Sequence, residues 1–294
     1  MPSSYFDEFI ENALHEDIGD GDHTSRACIP ADATGKAQLL VKEEGILAGV
    51  NVAIRIFKKL DPNISIEVLK NDGEWVAPPD IAFLVEGKIL ALLKAERLVL
   101  NIMQRMSGIA TTTKRYVDQL QGLNTKILDT RKTTPGMRLL EKAAVKTGGG
   151  YNHRFGLFDM ILIKDNHVDF SGGIHNAINR VKAYMERTGK NLDIEIEARN
   201  LDDIRTILSI GGVQRIMLDN FSISDTRTAV EMIAGRYETE SSGGITFKNL
   251  RAYAECGVDY ISVGALTHQI KSLDLSLKAL NYKPDELGPT HAYL

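Results

Sequence analysis

The sequence contains few cysteines and no long apolar run, and each shortage excludes a class of protein. Its two cysteines, Cys28 and Cys256, provide neither a disulfide framework nor the closely spaced thiols of a zinc site. No run approaches the roughly 18 consecutive apolar residues that a membrane span needs. Acidic residues near the start, among them Asp7 and Glu8, do not fit a secretory signal. We therefore expect a protein of the reducing cytoplasm that has no membrane span.

The chain also lacks an excess of positive charge. Its 294 residues carry a formal net charge of −4, whereas a general nucleic-acid binder is normally basic overall or along one face. We therefore expect no nucleic-acid partner. With 43% hydrophobic and 25% charged residues, the composition is that of an ordinary globular protein. The length suits two domains, or one barrel with an extension.

The first third of the chain mixes short strands with helices, a pattern typical of an α+β domain. Helical spacing of apolar residues predicts helices at 3–15 and 52–60, and short apolar runs predict strands at 37–41, 64–69, 81–85 and 89–93. A helical pattern begins at residue 95. We expect Ser107 and Gly108 to break or bend it, with a second helix at 109–120, and we place a domain boundary near Ser107.

From residue 127 onward, strands alternate with helices every 20 to 35 residues or so, which implies parallel strands joined by right-handed crossovers. The predicted strands are 127–128, 160–163, 194–196, 216–218, 237–240 and 260–263, and the predicted helices are 174–185, 201–208, 224–233 and 250–255. Six such strands are more than half of a β/α barrel, and a doubly wound sheet is the alternative. We favour the barrel because a polar residue or glycine follows every strand at the same end, where barrel loops converge on one site.

Cations accumulate around the first two of these strands, although the chain as a whole is acidic. Between residues 129 and 167 there are seven lysines and arginines against four carboxylates. We assign Lys142 and Lys146 to a solvated helix face. The remaining cations of interest lie at strand ends or on the loop between them, where an anionic ligand would explain them: Arg131, Lys132, Arg154 and Lys164, with His153 beside Arg154.

The loops after the last two strands are rich in glycine, which allows a phosphate to approach backbone N–H groups. Ser242-Gly243-Gly244 follows one strand and Gly264-Ala265 the next. Either sequence alone is more typical of a tight turn. Their presence on neighbouring strands favours a phosphate site, which in barrels often occupies these two loops.

Two carboxylates, Glu197 and Asp219, end the middle strands and are predicted to face the mouth of the barrel, with Glu195 deeper on the same face. They fit Mg²⁺, which favours one or two carboxylates together with substrate phosphates, or else a structural network of ion pairs. Lys164 at its strand end is also compatible with a Schiff-base lysine. The residues alone leave these alternatives open.

Long motifs spread along almost the whole chain resemble the quinolinate phosphoribosyltransferase family. They are EDIGDGDHTS (16–25), GILAGV (45–50), ERLVLNIMQRMSGIAT (96–111), DTRKTTPGMRLLEKAAVKTGGGYNHRFGLFDMILIKDNH (129–167), LDNF (218–221), ESSGGI (240–245) and SVGALTH (262–268). The resemblance implies that quinolinate and phosphoribosyl pyrophosphate react, with Mg²⁺, to nicotinate mononucleotide, pyrophosphate and CO₂. It also implies a role in NAD biosynthesis.

The resemblance further implies a role for each matching residue. Substrate-binding residues would be Arg97, Arg131, Lys132, His153, Arg154, Lys164, Ser242, Gly243, Gly244, Gly264 and Ala265. Catalysis would fall to Lys132, Lys164, Glu197 and Asp219, the last two also facing Mg²⁺. Arg97, which spacing alone assigns to the edge of a core stripe, would enter the neighbouring subunit's site in a homodimer.

The resemblance implies an α/β fold: an N-terminal α/β sandwich domain (1–107) and an incomplete, seven-stranded α/β barrel (108–269). A helix at 272–280, within a C-terminal segment at 270–294, would pack back on the first domain. Two other classes are disfavoured. A relative concerned with molybdenum metabolism would be expected to lose the dicarboxylate-binding cations, and a non-catalytic homologue to lose Glu197, Asp219 or Lys164, whereas all are present.

Overall fold

The computed structural model describes residues 3–280, which form two compact units. Among the described residues, the first unit comprises 3–111, Leu139–Gly148 and 270–280. The second comprises Thr112–Arg138 and Gly149–Gln269. No helix within the described residues combines the length and apolar character needed to cross a membrane.

The helices and strands follow one another along the chain in two series. The first series is α1 Ser3–Ile18, α2 His23–Cys28, β1 Thr34–Val41, β2 Gly45–Ile46, α3 Val50–Leu60, β3 Ser65–Val68, β4 Trp75–Val76, β5 Ile81–Lys88 and α4 Ile89–Asp118. The second series is β6 Lys126–Leu128, α5 Arg138–Thr147, β7 Ile161–Ile163, α6 Asp165–Ser171, α7 Ile174–Thr188, β8 Ile194–Ala198, α8 Leu201–Ile210, β9 Arg215–Asp219, α9 Ile223–Ile233, β10 Glu238–Ser242, α10 Leu250–Ala254, β11 Tyr260–Ser262, α11 Ala265–His268 and β12 Leu275–Leu280.

The first unit contains an antiparallel sheet in the order β12-β1-β5-β3. Alternate residues of β1 point into a core, and the paired residues Leu39 of β1 and Phe83 of β5 are fully buried. Helix α3 contributes Phe57, whose ring meets that of Phe83 edge to face at 6.0 Å between centroids. The expected N-terminal domain built on a sheet is therefore present.

The predicted helix at 272–280 is wrong, because Leu275–Leu280 form strand β12 and the three residues before it belong to no helix. Leu275 and Leu277 are buried while Ser276 and Lys278 are more exposed, an alternation with period two that suits a strand and not a helix. β12 pairs with β1, Leu277 opposite Leu39, so this segment does return to the first unit's sheet. The rest of the predicted C-terminal segment, 281–294, lies outside the described residues.

The predicted break at Ser107 and Gly108 is also wrong, since α4 is continuous through both. Ser107 is fully buried, and its Oγ accepts a hydrogen bond from Ala48 N at 2.9 Å. Gly108 lies so close to Lys271 that a Cβ would be 2.2 Å from its carbonyl oxygen. The two small residues mark close packing against the helix. The predicted strand at 89–93 is likewise absent, because α4 already begins at Ile89 and β5 pairs with β1 and β3.

The second unit contains six parallel strands in the order β6-β11-β10-β9-β8-β7. Strands β7 to β11 are neighbours in chain order and β11 then pairs with β6, which is the order of a barrel and not of a doubly wound sheet. A single parallel bridge from Leu128 to Tyr151 adds one residue beyond β6. Within the described residues no ladder joins β6 to β7. The expected α/β class is confirmed, with six strands and this one bridge.

Candidate active site

Lys164 and Glu197 meet at the carboxyl ends of two neighbouring strands. Lys164 directly follows β7, and Glu197 is the fourth residue of β8. The Lys164 Nζ donates to Glu197 Oε1 at 2.5 Å, and the Asp165 backbone N donates to Glu197 Oε2 at 3.2 Å. Glu197 is buried, whereas the lysine side chain is 45% exposed. The sheet therefore carries an ion pair at this edge, in which the lysine is accessible to solvent and the glutamate is not.

Asp219, the last residue of β9, lies beside this pair. Burial raises the pKa of its carboxyl above the ordinary value, and the negative charge of Glu197 raises it further. The Asn220 side chain, which donates from Nδ2 to Asp219 Oδ2 at 2.9 Å, acts in the opposite direction on that pKa, as does Lys164. The two predicted acidic residues are therefore close enough to repel each other.

The ends of β6 and β11 also converge, although these strands are far apart in sequence. Thr267 Oγ1 donates to the Lys132 carbonyl oxygen at 2.8 Å. A Cβ on Gly264 would lie 3.1 Å from Lys132 Cδ and 2.9 Å from His268 Nε2. Lys132 and His268 are both exposed. His268 was not among the predicted site residues, although it lies within the SVGALTH motif.

Arg131 and Arg154 are electrostatic neighbours. Burial lowers the pKa of the half-buried Arg154, and the charge of the exposed Arg131 lowers it further. Arg154 Nη1 donates to the Met160 carbonyl oxygen at 3.2 Å, which holds the guanidinium in place. Two like charges near each other repel, and an anion bound between them would relieve that repulsion.

A buried carboxylate anchors the loop that carries Arg154. Asp129 follows β6 and is fully buried, with Oδ2 accepting from Asn152 Nδ2 at 2.6 Å and Oδ1 accepting from the His153 backbone N at 2.9 Å. A carboxylate that accepts such bonds while buried rigidifies its loop. The sequence indicated only that Asp129 carries a negative charge, and its role in anchoring the loop was not predicted.

The His153 side chain is buried, whereas Arg131 and Lys132 are exposed at the strand ends. Its Nε2 is 2.9 Å from Glu195 Oε2 and 3.5 Å from Glu240 Oε2, and its Nδ1 accepts from the Arg154 backbone N at 2.7 Å. Glu195 is fully buried, as its expected deeper position on the face of Glu197 implies. The substrate-binding role of His153 stays a prediction, whereas its buried hydrogen bonds are observed.

Burial raises the pKa of Glu195 to about 7 and that of Glu240 to about 8. The ligand atoms of His153, Glu195 and Glu240 lie within 4.8 Å of one another, a spacing that a metal ion could use. However, Arg215 Nη1 already donates to Glu240 Oε2 at 3.1 Å, and a guanidinium at that distance disfavours a second cation. The cluster is therefore better described as a buried group of ionisable side chains in close contact, with Arg215 as its cation.

The predicted phosphate loop after β10 has an unusual backbone. Gly243 and Gly244 are consecutive residues in the left-handed region, with φ of +84° and +62°. Ser242 is half-buried and its carbonyl oxygen accepts from Asn220 N at 2.9 Å. A turn follows in which Asn249 Oδ1 accepts from Thr246 N at 2.7 Å, and helix α10 begins at Leu250, as the predicted helix at 250–255 does. On the neighbouring strand, Ala265 is half-buried and starts α11 directly after Gly264.

Arg97 and Lys142 belong to the first unit. Arg97 is exposed on α4, which leaves its predicted role open. Lys142 was assigned to a solvated face, and this is wrong, because it is only 3% exposed. Its neighbour Glu141 is fully buried and 2.7 Å from Arg105 Nη2, so this stretch of α5 packs inward with its charges paired.

Two family models match consecutive parts of the chain. The model described as quinolinate phosphoribosyl transferase, N-terminal domain, matches residues 22–107, and the corresponding C-terminal domain matches residues 109–278. The chain is 45% identical over 284 residues to quinolinate phosphoribosyltransferase [decarboxylating] 1b of Nicotiana tabacum, covering 92% of this chain and 81% of that protein. It is 43% identical over 270 residues to a probable nicotinate-nucleotide pyrophosphorylase [carboxylating] of Bacillus subtilis, covering 92% of both.

Solved structures resemble this one closely. NadC from Streptococcus pyogenes superposes with a TM-score of 0.89 at 37% identity, covering 96% of this chain and 99% of that one. The nicotinate-nucleotide pyrophosphorylase from Francisella tularensis superposes with a TM-score of 0.88 at 40% identity, covering 95% and 98%. These similarities extend over both units.

Proposed function

The chain belongs to the quinolinate phosphoribosyltransferase family, and we propose that it transfers the phosphoribosyl group of phosphoribosyl pyrophosphate to quinolinate with loss of CO₂. The products are nicotinate mononucleotide, pyrophosphate and CO₂, a step of NAD biosynthesis. The observation that carries this proposal is the juxtaposition, at one edge of the parallel sheet, of the Lys164–Glu197 pair, Asp219 and the two glycine loops.

The cationic side of the site suits a dicarboxylate. Quinolinate carries two adjacent carboxylates on a planar ring, and the planar guanidinium groups of Arg131 and Arg154 bind such groups with paired hydrogen bonds. Their mutual repulsion, evident in the lowered pKa of Arg154, is relieved when an anion binds between them. Lys132 and Lys164 would complete the anion site from the ends of β6 and β7.

The acidic side suits the sugar. Cleavage of the bond between ribose C1 and pyrophosphate leaves positive charge on the ribose, and carboxylates placed nearby stabilise that charge. We assign this role to Glu197 and Asp219, which lie at the carboxyl ends of neighbouring strands. The 5′-phosphate would bind at the loops after β10 and β11, whose glycines leave room beside the backbone: Ser242, Gly243, Gly244, Gly264 and Ala265.

Mg²⁺ fits the acidic pair, and Asp219 fits better than Glu197. Both Glu197 oxygens already accept hydrogen bonds from Lys164 and Asp165, whereas Asp219 accepts one side-chain bond from Asn220. Asp219 also feels the charge of Glu197, a repulsion that a divalent cation would remove. Bound through Asp219 and substrate phosphates, Mg²⁺ would neutralise the departing pyrophosphate.

Decarboxylation needs no general base from the protein. Once the ring nitrogen carries the ribose it is positively charged, and it stabilises the carbanion left at the adjacent carbon when CO₂ departs. The protein's contribution at this step is to hold the second carboxylate against the arginines, so that the ring stays in place.

We propose that the active form is a homodimer in which Arg97 of each protomer enters the neighbour's site. Its exposure on α4 leaves the guanidinium available for that role. We also propose the cytoplasm as its compartment, although plant relatives are named as mitochondrial or chloroplastic. Cell fractionation, with the activity recovered in the cytosolic fraction, tests the compartment.

Release of ¹⁴CO₂ from carboxyl-labelled quinolinate tests the function. We expect release only when phosphoribosyl pyrophosphate and Mg²⁺ are both present. Release without the sugar donor would point to a simple decarboxylase, and no release from folded protein would contradict the proposal. Borohydride with a carbonyl substrate addresses the Schiff-base alternative: we expect no trapping, because Lys164 Nζ is held by Glu197.

A further inference from the structure

Asn220 has a backbone conformation that residues other than glycine rarely adopt. Its φ is +56°, and within residues 3–280 the only other non-glycine residue with positive φ is Ala234, which ends helix α9. Asparagine tolerates the left-handed region better than most residues, so φ alone indicates only a turn. Such outliers nevertheless concentrate at functional sites when the surrounding structure holds them.

The contacts of Asn220 join two parts of the candidate site. Its Nδ2 donates to Asp219 Oδ2 at 2.9 Å, and its backbone N donates to the Ser242 carbonyl oxygen at 2.9 Å. Its Oδ1 lies directly over Gly243, where an added Cβ would be only 2.2 Å away. One residue therefore touches the carboxylate at the end of β9 and the glycine turn at the end of β10.

We propose that Asn220 is a positioning residue that sets the distance between the Asp219 carboxylate and the Ser242-Gly243-Gly244 turn. This inference rests on the proposed function, in which Asp219 faces the ribose and the turn faces the 5′-phosphate. The two ends of one phosphoribosyl group must be bound at a fixed spacing, and Asn220 spans that spacing. Quinolinate binds among the arginines and is expected to be little affected.

The side chain and the backbone of Asn220 can be separated by substitution. Asn220→Gly retains easy access to positive φ and removes the amide. Asn220→Asp retains the shape but places a carboxylate oxygen where Nδ2 donates, so it repels Asp219. Ala234→Gly is the matched control, because it changes the other left-handed residue, at φ +47°, on a helix end outside the candidate site.

The measurements are the KM values for both substrates, kcat, calorimetric binding of phosphoribosyl pyrophosphate without quinolinate, and the melting temperature. For Asn220→Gly we expect the KM for phosphoribosyl pyrophosphate to rise by about tenfold, the scale of one lost hydrogen bond to a charged group. The KM for quinolinate should change less than about twofold. Asn220→Asp should raise the KM for phosphoribosyl pyrophosphate more than Asn220→Gly does. Ala234→Gly should have the same KM values as the unmodified protein.

A double substitution adds a test of the contact itself. Gly243→Ala should weaken sugar-donor binding strongly, both from strain at positive φ and from collision with Asn220 Oδ1. In the Asn220→Gly background the collision is gone, so the additional loss from Gly243→Ala should be smaller. Strict additivity of the two changes would overturn the proposed contact.

These outcomes are distinct from the failure of the proposed function. If the unmodified protein releases no CO₂, the function fails, but calorimetry with phosphoribosyl pyrophosphate still tests Asn220. Unchanged binding of that ligand by Asn220→Gly and Asn220→Asp would overturn the inference, as would a lowered melting temperature with unchanged KM values. A selective loss of sugar-donor binding at an unchanged melting temperature supports it.

Discussion

Arg131 is exposed at the end of β6, and its charge bears on Arg154. Arg131→Ala should raise the KM for quinolinate by about ten- to hundredfold, because it removes charged hydrogen bonds to a carboxylate. Arg131→Lys should raise this KM less, because the positive charge remains and only the planar guanidinium with its paired donors is lost. Steady-state kinetics decide this, with Lys190→Ala as the control, because Lys190 is an exposed cation two residues beyond the end of α7. An unchanged KM for quinolinate in Arg131→Ala would remove Arg131 from the site.

Glu240 connects pH to stability. Its pKa in the folded protein is raised from 4.5 to about 8 by burial. Between these values the folded state binds the proton more tightly than the unfolded state, so this group's contribution to the free energy of unfolding falls as pH rises. Glutamine cannot ionise, and Glu240→Gln should therefore lose less stability than the unmodified protein between about pH 5 and pH 8.

Urea unfolding at several pH values measures this difference. The matched control is Glu238→Gln, because Glu238 pairs with the same Arg215 at 2.9 Å but is exposed. We expect the control to follow the pH dependence of the unmodified protein. Parallel curves for all three proteins would show that Glu240 is ionised in the folded state across this range.

Single residues were predictable from sequence where strand position decided them, and not where packing did. Lys164, Glu197 and Asp219 follow from the ends of apolar strands, and the structure brings them together. The burial of Lys142 was missed because a lysine on an amphipathic helix is normally solvated. Asn220 was missed because the pattern of apolar residues predicts neither its positive φ nor its contact with Gly243.

A substitution in helix α4 can show whether close packing affects stability more than helix propensity does. Gly108→Ala should raise intrinsic helix stability by about 1 kcal/mol. However, the new Cβ would lie 2.2 Å from the Lys271 carbonyl oxygen, a backbone atom that cannot move independently. Overpacking of this kind costs about 1–3 kcal/mol, so we expect net destabilisation.

Thermal and denaturant unfolding provide the measurement for Gly108→Ala. Asn101→Ala is the matched control, because Asn101 lies on the same helix but is exposed, and it should be neutral or slightly stabilising. An increase in stability for Gly108→Ala comparable to that of the control would mean that the helix and the segment at Lys271 separate easily.

The six parallel strands of the second unit and its helices α7 to α10 were predictable to within two or three residues, whereas α6 was not predicted. The reason is that buried parallel strands need continuous apolar runs and their crossover helices need one apolar face. Errors occurred where the partner was distant in sequence. Residues 272–280 look helical until β1 is available as a partner, and Ser107-Gly108 resembles a break until Ala48 and Lys271 are seen beside it.

The proposed homodimer predicts that two inactive variants restore activity together. In a heterodimer of Arg97→Ala with Lys164→Ala, one site lacks both residues and the other is intact, so about half of the normal activity should return. A heterodimer of Arg131→Ala with Lys164→Ala is the control, because each site would lack one residue and none would be intact.

Co-expression with two different tags and purification through both gives the heterodimers for this measurement. Recovery by the first pair and not by the second supports a site shared between protomers. No recovery by either pair, with dimers shown by sedimentation, would place Arg97 outside the site. A purely monomeric protein would contradict the homodimer itself.

The pairing of β12 with β1 has a consequence for how the chain is made. Lys36 lies opposite Leu280, so strand β1 meets its last neighbour in the sheet only after the chain has been synthesised through Leu280 and has left the ribosome. Until then one edge of β1 presents unpaired backbone groups to other nascent chains. Domain-by-domain folding during translation, the usual course for larger proteins, cannot finish the first unit early. Chaperones that cover exposed strand edges would therefore act chiefly on this sheet, although β1, β3 and β5 are synthesised before the second unit.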